Sequence, residues 1–347
     1  MKINLKKIKN FVLNWDLNKL LAVIGVLALI IVIVFFIWWQ GAEIEIKNLV
    51  GGKKIDNLPK GVISGLPCEN SNHRPISIMM AADPKTRPLS GISEADIVFE
   101  MPVTPNGITR FMAIFQCNNP SEIGSIRSAR NDFIPLAAGL KSIYVHWGGE
   151  REALQKLNGH IIDNIDAMKY EGTVFYRKNG ILRPHNGFTD LARIIDQSQK
   201  LGYELNNSFG GYLHEEKTTK KSISNLTNEI KIDYLDPYSV KWIYDSPEDV
   251  YKIDRDGKPE LDRNTNEQVS VKVVVVIKTT SQYINQDYIS VKTQGDGEAI
   301  IYQGGISIPG KWQKDPSVLD SKLYFYDNKG GEIKFLPGKI WVEIVTN

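Results

Sequence analysis

The chain has 347 residues, of which 24% are charged, and a formal net charge of +2 at neutral pH. That length allows about two domains, and the charged share is ordinary for a globular protein. The near-neutral balance removes nucleic acid from the partners that composition would announce.

The first element in chain order is "LLAVIGVLALIIVIVFFIWW", Leu20–Trp39, which carries no charge. As a helix it spans a hydrocarbon core of roughly 30 Å. Lys2, Lys6, Lys7, Lys9 and Lys19 precede it, and Glu43 and Glu45 follow. The positive-inside rule predicts a cytoplasmic tail over residues 1–19, a single-pass signal anchor over 20–39 and an extracytoplasmic remainder. The run is longer than the apolar core of a cleaved signal peptide and ends in bulky "FFIWWQ". The partner it implies is the cell membrane. Residues 40–71, rich in Gly, Pro and Asn, form a lead segment.

Residues 72–205 then read as an α/β domain. "RPISIMMA", "ADIVFEMPV", "TRFMAIFQC" and "SIYVHWGG" predict strands, and "NDFIPLAAGL", "EREALQKLN" and "TDLARIIDQSQKLG" predict helices, the last with Thr189 as N-cap. Near-continuous apolar strands alternating with helices predict a mixed sheet covered by helices. Residues 206–228 are polar and read as a linker or exposed loop. Residues 229–347 read as a smaller, mainly antiparallel β domain. Its strands are "SVKWIY", "DVYKIDR", "VSVKVVVVIKT", "YISVKT", "EAIIYQ", "KLYFYD" and "KIWVEIV", with "DRDGK" and "DNKGG" as hairpin turns.

Candidate chemistry gathers in "IGSIRSARNDF", residues 123–133. Arginine offers a permanent charge and a planar fork that matches phosphate or carboxylate. At a strand-to-helix junction, backbone N–H groups add to the attraction for an anion. Arg127, Ser128 and Arg130 therefore form a candidate anion cradle, which Arg110 on the preceding strand can join. The structural alternative is that these arginines pair internally with Asp132, Glu100 or Asp96. In "YVHWGG", His146 and Trp147 lie at a strand end, where ligands collect in open α/β sheets, and two glycines allow close backbone approach. A buried, hydrogen-bonded His146 in a tight turn is the competing reading. In "RPHNGFTD", His185 and Asn186 sit in a loop before a helix, either facing a ligand or shaping the turn and cap.

The five histidines show no close metal-ligand spacing, and no phosphate-loop, zinc-protease or nucleophile-elbow motif is present. No cofactor and no metal is expected. Cys68 and Cys117 either pair, which outside the membrane is chemically available, or remain two separate thiols.

Taken in order, "RPISIMM", "RPLSGISEADIVFE", "GITRFMAIFQ", "IGSIRSARNDF", "YVHWGG", "PHNGFTD", "GEAIIYQGGISIPGKWQKD" and "GKIWVEIV" resemble the YerB-like family of envelope lipoproteins over about residues 72–346. The resemblance implies an N-terminal domain of unknown function, a β-rich C-terminal domain and a bacterial, membrane-tethered, extracytoplasmic protein. It implies no reaction. The chain departs from the family in its anchor: Leu20–Trp39 stands in place of a lipid-bearing cysteine. The arginine stretch and "HWGG" turn also look like the LytR-CpsA-Psr phosphotransferases, which hold a polyprenyl pyrophosphate with arginines. That likeness is a pattern and an analogy.

The expected function is membrane-tethered binding of an anionic, phosphate-bearing wall polymer or polyprenyl-phosphate carrier. Its contacts would be Arg127, Arg130, Arg110, Ser128, His146, Trp147, His185 and Asn186. One alternative is an enzyme of wall-glycopolymer attachment with Asp132 or His146 as base. Another is a non-catalytic envelope scaffold.

Overall fold

The computed structural model describes residues 58–216 and 227–346, together with seven positions between 21 and 35. The chain forms two units, Met1–Asn57 and Leu58–Asn347. In the first, Leu21, Ala28, Leu29, Ile31, Val32, Val34 and Phe35 are helical and exposed. The expected tail, most of the Leu20–Trp39 span and residues 40–57 lie outside the described residues, as does the middle of the expected linker, 217–226. Among the described residues no helix is long and apolar enough to cross a membrane.

The second unit is sheet-rich with few helices. Ten strands make its main sheet: β1 (Ile76–Ala81), β2 (Ile97–Pro102), β3 (Thr109–Phe115), β4 (Ile143–His146), β5 (Asn164–Asp166), β6 (Val273–Thr279), β7 (Gly295–Gln303), β8 (Ile306–Lys314), β9 (Tyr324–Asp327) and β10 (Ile340–Thr346). Their order is β9-β8-β7-β6-β10-β2-β3-β1-β4-β5. The first five come from the expected α/β part and the last five from the expected β part.

These two parts therefore do not own separate sheets. β10 inserts between them, parallel to β2 on one side and to β6 on the other. The reason lies in its sequence. "IWVEIVT" is buried at its first five positions, so both of its faces need cover, as for a central parallel strand. The second half is mainly antiparallel, as expected, and departs from that where β10 runs parallel to β6.

Strand alternation sends two cores to opposite faces. On one face Ile78, Phe111, Val98, Val274 and Trp341 pack with Trp242, Tyr251 and Ile253 of a smaller sheet. On the other, Met79, Phe99, Met112, Tyr144 and Val342 pack with the helices Ile134–Gly139 and Arg151–Asn158. The helix Leu191–Lys200 is capped by Asp190, whose carboxylate accepts from Arg193 N at 2.9 Å. Thr189, the expected cap, ends the short strand Gly187–Thr189 and donates to Val174 O. A carboxylate one residue later meets the free N–H groups better than the hydroxyl does.

Cys68 and Cys117 form a disulfide across 49 residues of sequence, joining the lead segment to the end of β3. Closing a loop of that size stabilises a fold by about 4 kcal/mol in the chain-entropy model. Gly61 makes room for it, since a Cβ there would lie 2.3 Å from Cys117 Sγ.

Candidate functional site

The parallel strands β1 and β4 finish at the same edge of the sheet. Residues 125–129 run across that edge. Ala81 N donates to Ser125 O, Arg127 N to Met79 O, Trp147 N to Arg127 O and Ala129 N to Gly148 O. This places Arg127 and Arg130 beyond the strand ends, where open sheets collect ligands. β3 runs the other way, and Arg110, near its start, lies opposite Ala81. Arg110 is thereby delivered to the same edge.

Three arginines face few acceptors there. Arg110 Nη1 lies 3.5 Å and Arg127 Nη2 3.9 Å from Asp83 Oδ2. Arg130 Nε lies 4.0 Å from Glu150 Oε2, and its guanidinium sits 5.2 Å from the ring centre of Tyr288. All three ion-pair distances exceed those of a charged hydrogen bond. Arg110 Nε and Nη1, Arg127 Nε, Arg130 Nε, Ser125 Oγ and His185 Nδ1 are buried without a hydrogen-bond partner, and so is Asp83 Oδ2. Burial, then the charges of Arg127 and Arg130, push the Arg110 guanidinium down to about 9, so it is still charged at neutral pH. Burial lowers Arg127 too, with Asp83 opposing and Arg130 adding to the fall. Burial and Arg127 lower His185, leaving a neutral imidazole at pH 7.

The acids offered as internal partners for these arginines are occupied elsewhere. Glu100 takes a two-pronged bond from Arg255, at 2.7 Å on each oxygen. Asp96 accepts from Gln116 N and Cys117 N. Asp132 accepts from Val291 N at 2.6 Å and Ser290 Oγ at 3.2 Å, fixing the hairpin Ser281–Asn285/Tyr288–Val291. That bonding gives Asp132 a structural task, while burial raises its carboxyl to about 6.

His146 has the surroundings of the competing reading, a buried, hydrogen-bonded histidine in a turn. It is 1% exposed, with Nδ1 2.8 Å from Gly148 O and Nε2 3.3 Å from Asn164 Oδ1. The glycines after it admit protein rather than ligand: a Cβ on Gly149 would meet the Cβ of Ala129 at 2.9 Å. Trp147 stacks under Arg177, whose guanidinium lies 4.1 Å from the ring centre, and Asn186 Oδ1 accepts from Arg177 Nη1. Those two residues hold the loop that presents His185. Ser128 is half-buried on the arginine segment, while the unpartnered hydroxyl belongs to Ser125. The helix start gives less than expected. A 3-10 turn, Asn131–Phe133, comes first, and Asn131 N donates to Glu150. Sequence reasoning notes Ser125 beside Ser128 in the arginine stretch but passes over Asp83 and Tyr288. A lone acid in "ADPKT" and a tyrosine about 160 residues away carry no local signal.

Comparison with known proteins gives a consistent result. Residues 63–204 match "Protein of unknown function (DUF3048) N-terminal domain" and residues 230–342 match "Protein of unknown function (DUF3048) C-terminal domain". "Putative lipoprotein YerB" of Bacillus subtilis (strain 168) is 30% identical over 295 residues, covering 83% of this chain and 86% of the relative. The crystal structure of the YerB protein from Bacillus subtilis superposes with a TM-score of 0.75 at 28% identity, covering 83% of this chain and 97% of that one. The two-part sequence pattern, the mixed sheet and the relative's length all agree, and the chain belongs to the YerB-like, DUF3048 family.

Proposed function

We propose that this chain is a membrane-tethered, extracytoplasmic envelope protein whose arginine cradle binds a phosphate-bearing anion. A wall polymer or a polyprenyl-phosphate carrier would supply that group. One observation carries the reading: Arg110 and Arg127 keep buried N–H atoms without acceptors beside the unpartnered Asp83 Oδ2, and the neighbouring Arg130 Nε is buried without an acceptor too. Burying guanidinium donors in this way costs stability unless something pairs with them. An anion with several oxygens offsets that cost on binding.

The location rests on the charge asymmetry around Leu20–Trp39 and on the lipoprotein name of the Bacillus subtilis relative. Both support a chain whose bulk lies outside the cytoplasm, on different anchors. A phosphatase reporter fused after residue 347 is expected to be active only when exported. Activity retained in the cytoplasm overturns the topology.

The binding test uses thermal unfolding of Arg127→Gln and Arg130→Gln. Neighbouring like charges repel, so each variant is expected to melt within a few degrees of the parent, or above it, without ligand. Pyrophosphate is expected to raise the parent's melting temperature and to leave the variants nearly unmoved. Large destabilisation of both variants without ligand assigns the arginines to the fold and ends the proposal.

A further inference from the structure

Asp83 is an odd neighbour for an anion, because its carboxylate repels one. Its Oδ2 atom is nevertheless buried, aimed at Arg110 and Arg127, and without a hydrogen bond of its own. At 3.5 and 3.9 Å it balances charge but accepts no proton from either guanidinium. A buried acceptor left in this state costs free energy until a donor reaches it. The arginines supply donors only and call for ligand oxygens that accept. Asp83 calls for the opposite on the same ligand.

We propose that Asp83 selects an anion that carries its own proton, making the cradle specific for hydrogen phosphate, or for a terminal phosphate group in its singly protonated form, over sulfate and phosphodiesters. This rests on the anion-binding reading above and narrows it. Three guanidinium groups against Asp83 and the more distant Glu150 leave the cradle net positive, so an anion is still drawn in. Hydrogen phosphate brings two negative charges and one O–H at neutral pH. Sulfate has the same charge and shape but no proton, so one of its oxygens would press against Asp83 Oδ2. A phosphodiester lacks both the second charge and the O–H. Ser125 Oγ does not discriminate, because a hydroxyl can turn to donate or to accept. A carboxylate can only accept.

The experiment is calorimetric titration of the full-length chain in a neutral detergent at pH 7, with sodium phosphate and sodium sulfate at equal ionic strength. Phosphate is expected to bind at least about tenfold more tightly than sulfate, the scale set by one unpaired buried acceptor. In Asp83→Asn the amide can donate, so sulfate is expected to gain affinity and the ratio to fall towards one. Asp83→Ser, which can also donate, should relax the ratio in the same direction. Equal binding of the two anions by the parent overturns the selectivity and leaves the anion site standing. A ratio unchanged in both variants removes Asp83 from the role. Binding of neither anion by the parent sinks both readings together.

Discussion

The most heavily charged buried spot among the described residues is not the arginine cradle but the seam between the two parts of the sheet. Arg255 there serves Glu100 at 2.7 Å and Glu260 at 3.1 Å. Burial works against its charge, but Glu100 and Glu260 outweigh that and hold its pKa above the ordinary range. Glu343 lies opposite Glu100 in the sheet and accepts from Trp242 Nε1 at 2.8 Å and Tyr234 OH at 3.1 Å. Arg255, with Arg87 3.8 Å from Glu260, sets two guanidiniums against three carboxylates. Burial, and then Glu100, raise the Glu343 carboxyl well above its ordinary 4.5, which favours its protonated form in the folded chain. The unfolded chain ionises it above that value. Its favourable contribution is therefore complete below pH 4.5 and falls as pH rises towards the folded pKa. Glu343→Gln keeps the shape and removes the titration. Its stability relative to the parent is expected to grow with pH by up to about 1.4 kcal/mol per unit. Denaturant unfolding at pH 5, 6.5 and 8 measures this, and a difference that stays constant with pH refutes it.

At the scale of elements, β10 carries the architecture. Its Ile340–Glu343 segment pairs with Ile97–Glu100 of β2, and its whole length pairs with β6. A chain stopped after Lys339 leaves two apolar strands with open edges in the middle of the sheet. It is expected to lose its cooperative melt, and residues 72–205 made alone are expected not to form a rigid domain. Circular dichroism melts and amide-proton spectra test both, and a cooperative transition like the parent's in either shortened chain argues for two autonomous halves. Here the reach of the sequence is clear. "ISIMMA", "IVFEMP", "TRFMAIF" and "IWVEIVT" declare themselves as strands because a local apolar run is enough. That the last lies beside the second is a pairing across some 240 residues, and no local pattern encodes it. "GGISIPGKW" enters the sequence reading only through a resemblance, since its glycines and proline mask a nine-residue strand, β8, that alternates between buried and exposed positions over its second half.

At the scale of the whole molecule, the same division holds for the site. Arg127 and Arg130 are legible because two fixed charges next to an apolar run are conspicuous, and Arg110 because it opens a strand. His146 misleads because a strand-end histidine looks the same whether its ring nitrogens face solvent or backbone. Asp83 is invisible because its meaning comes entirely from what the fold puts opposite it. The sheet order has one more consequence, in time rather than in space. Nine of the ten strands are made before β10, yet β10 belongs at the centre. Until residue 346 is available, β2 and β6 have no shared partner, and the disulfide-tied first part cannot close against the second. The main sheet thus stays incomplete until the last strand has been made. Completion of the sheet then reports that synthesis has reached β10, and any shorter product is left with exposed strand edges for quality control to find.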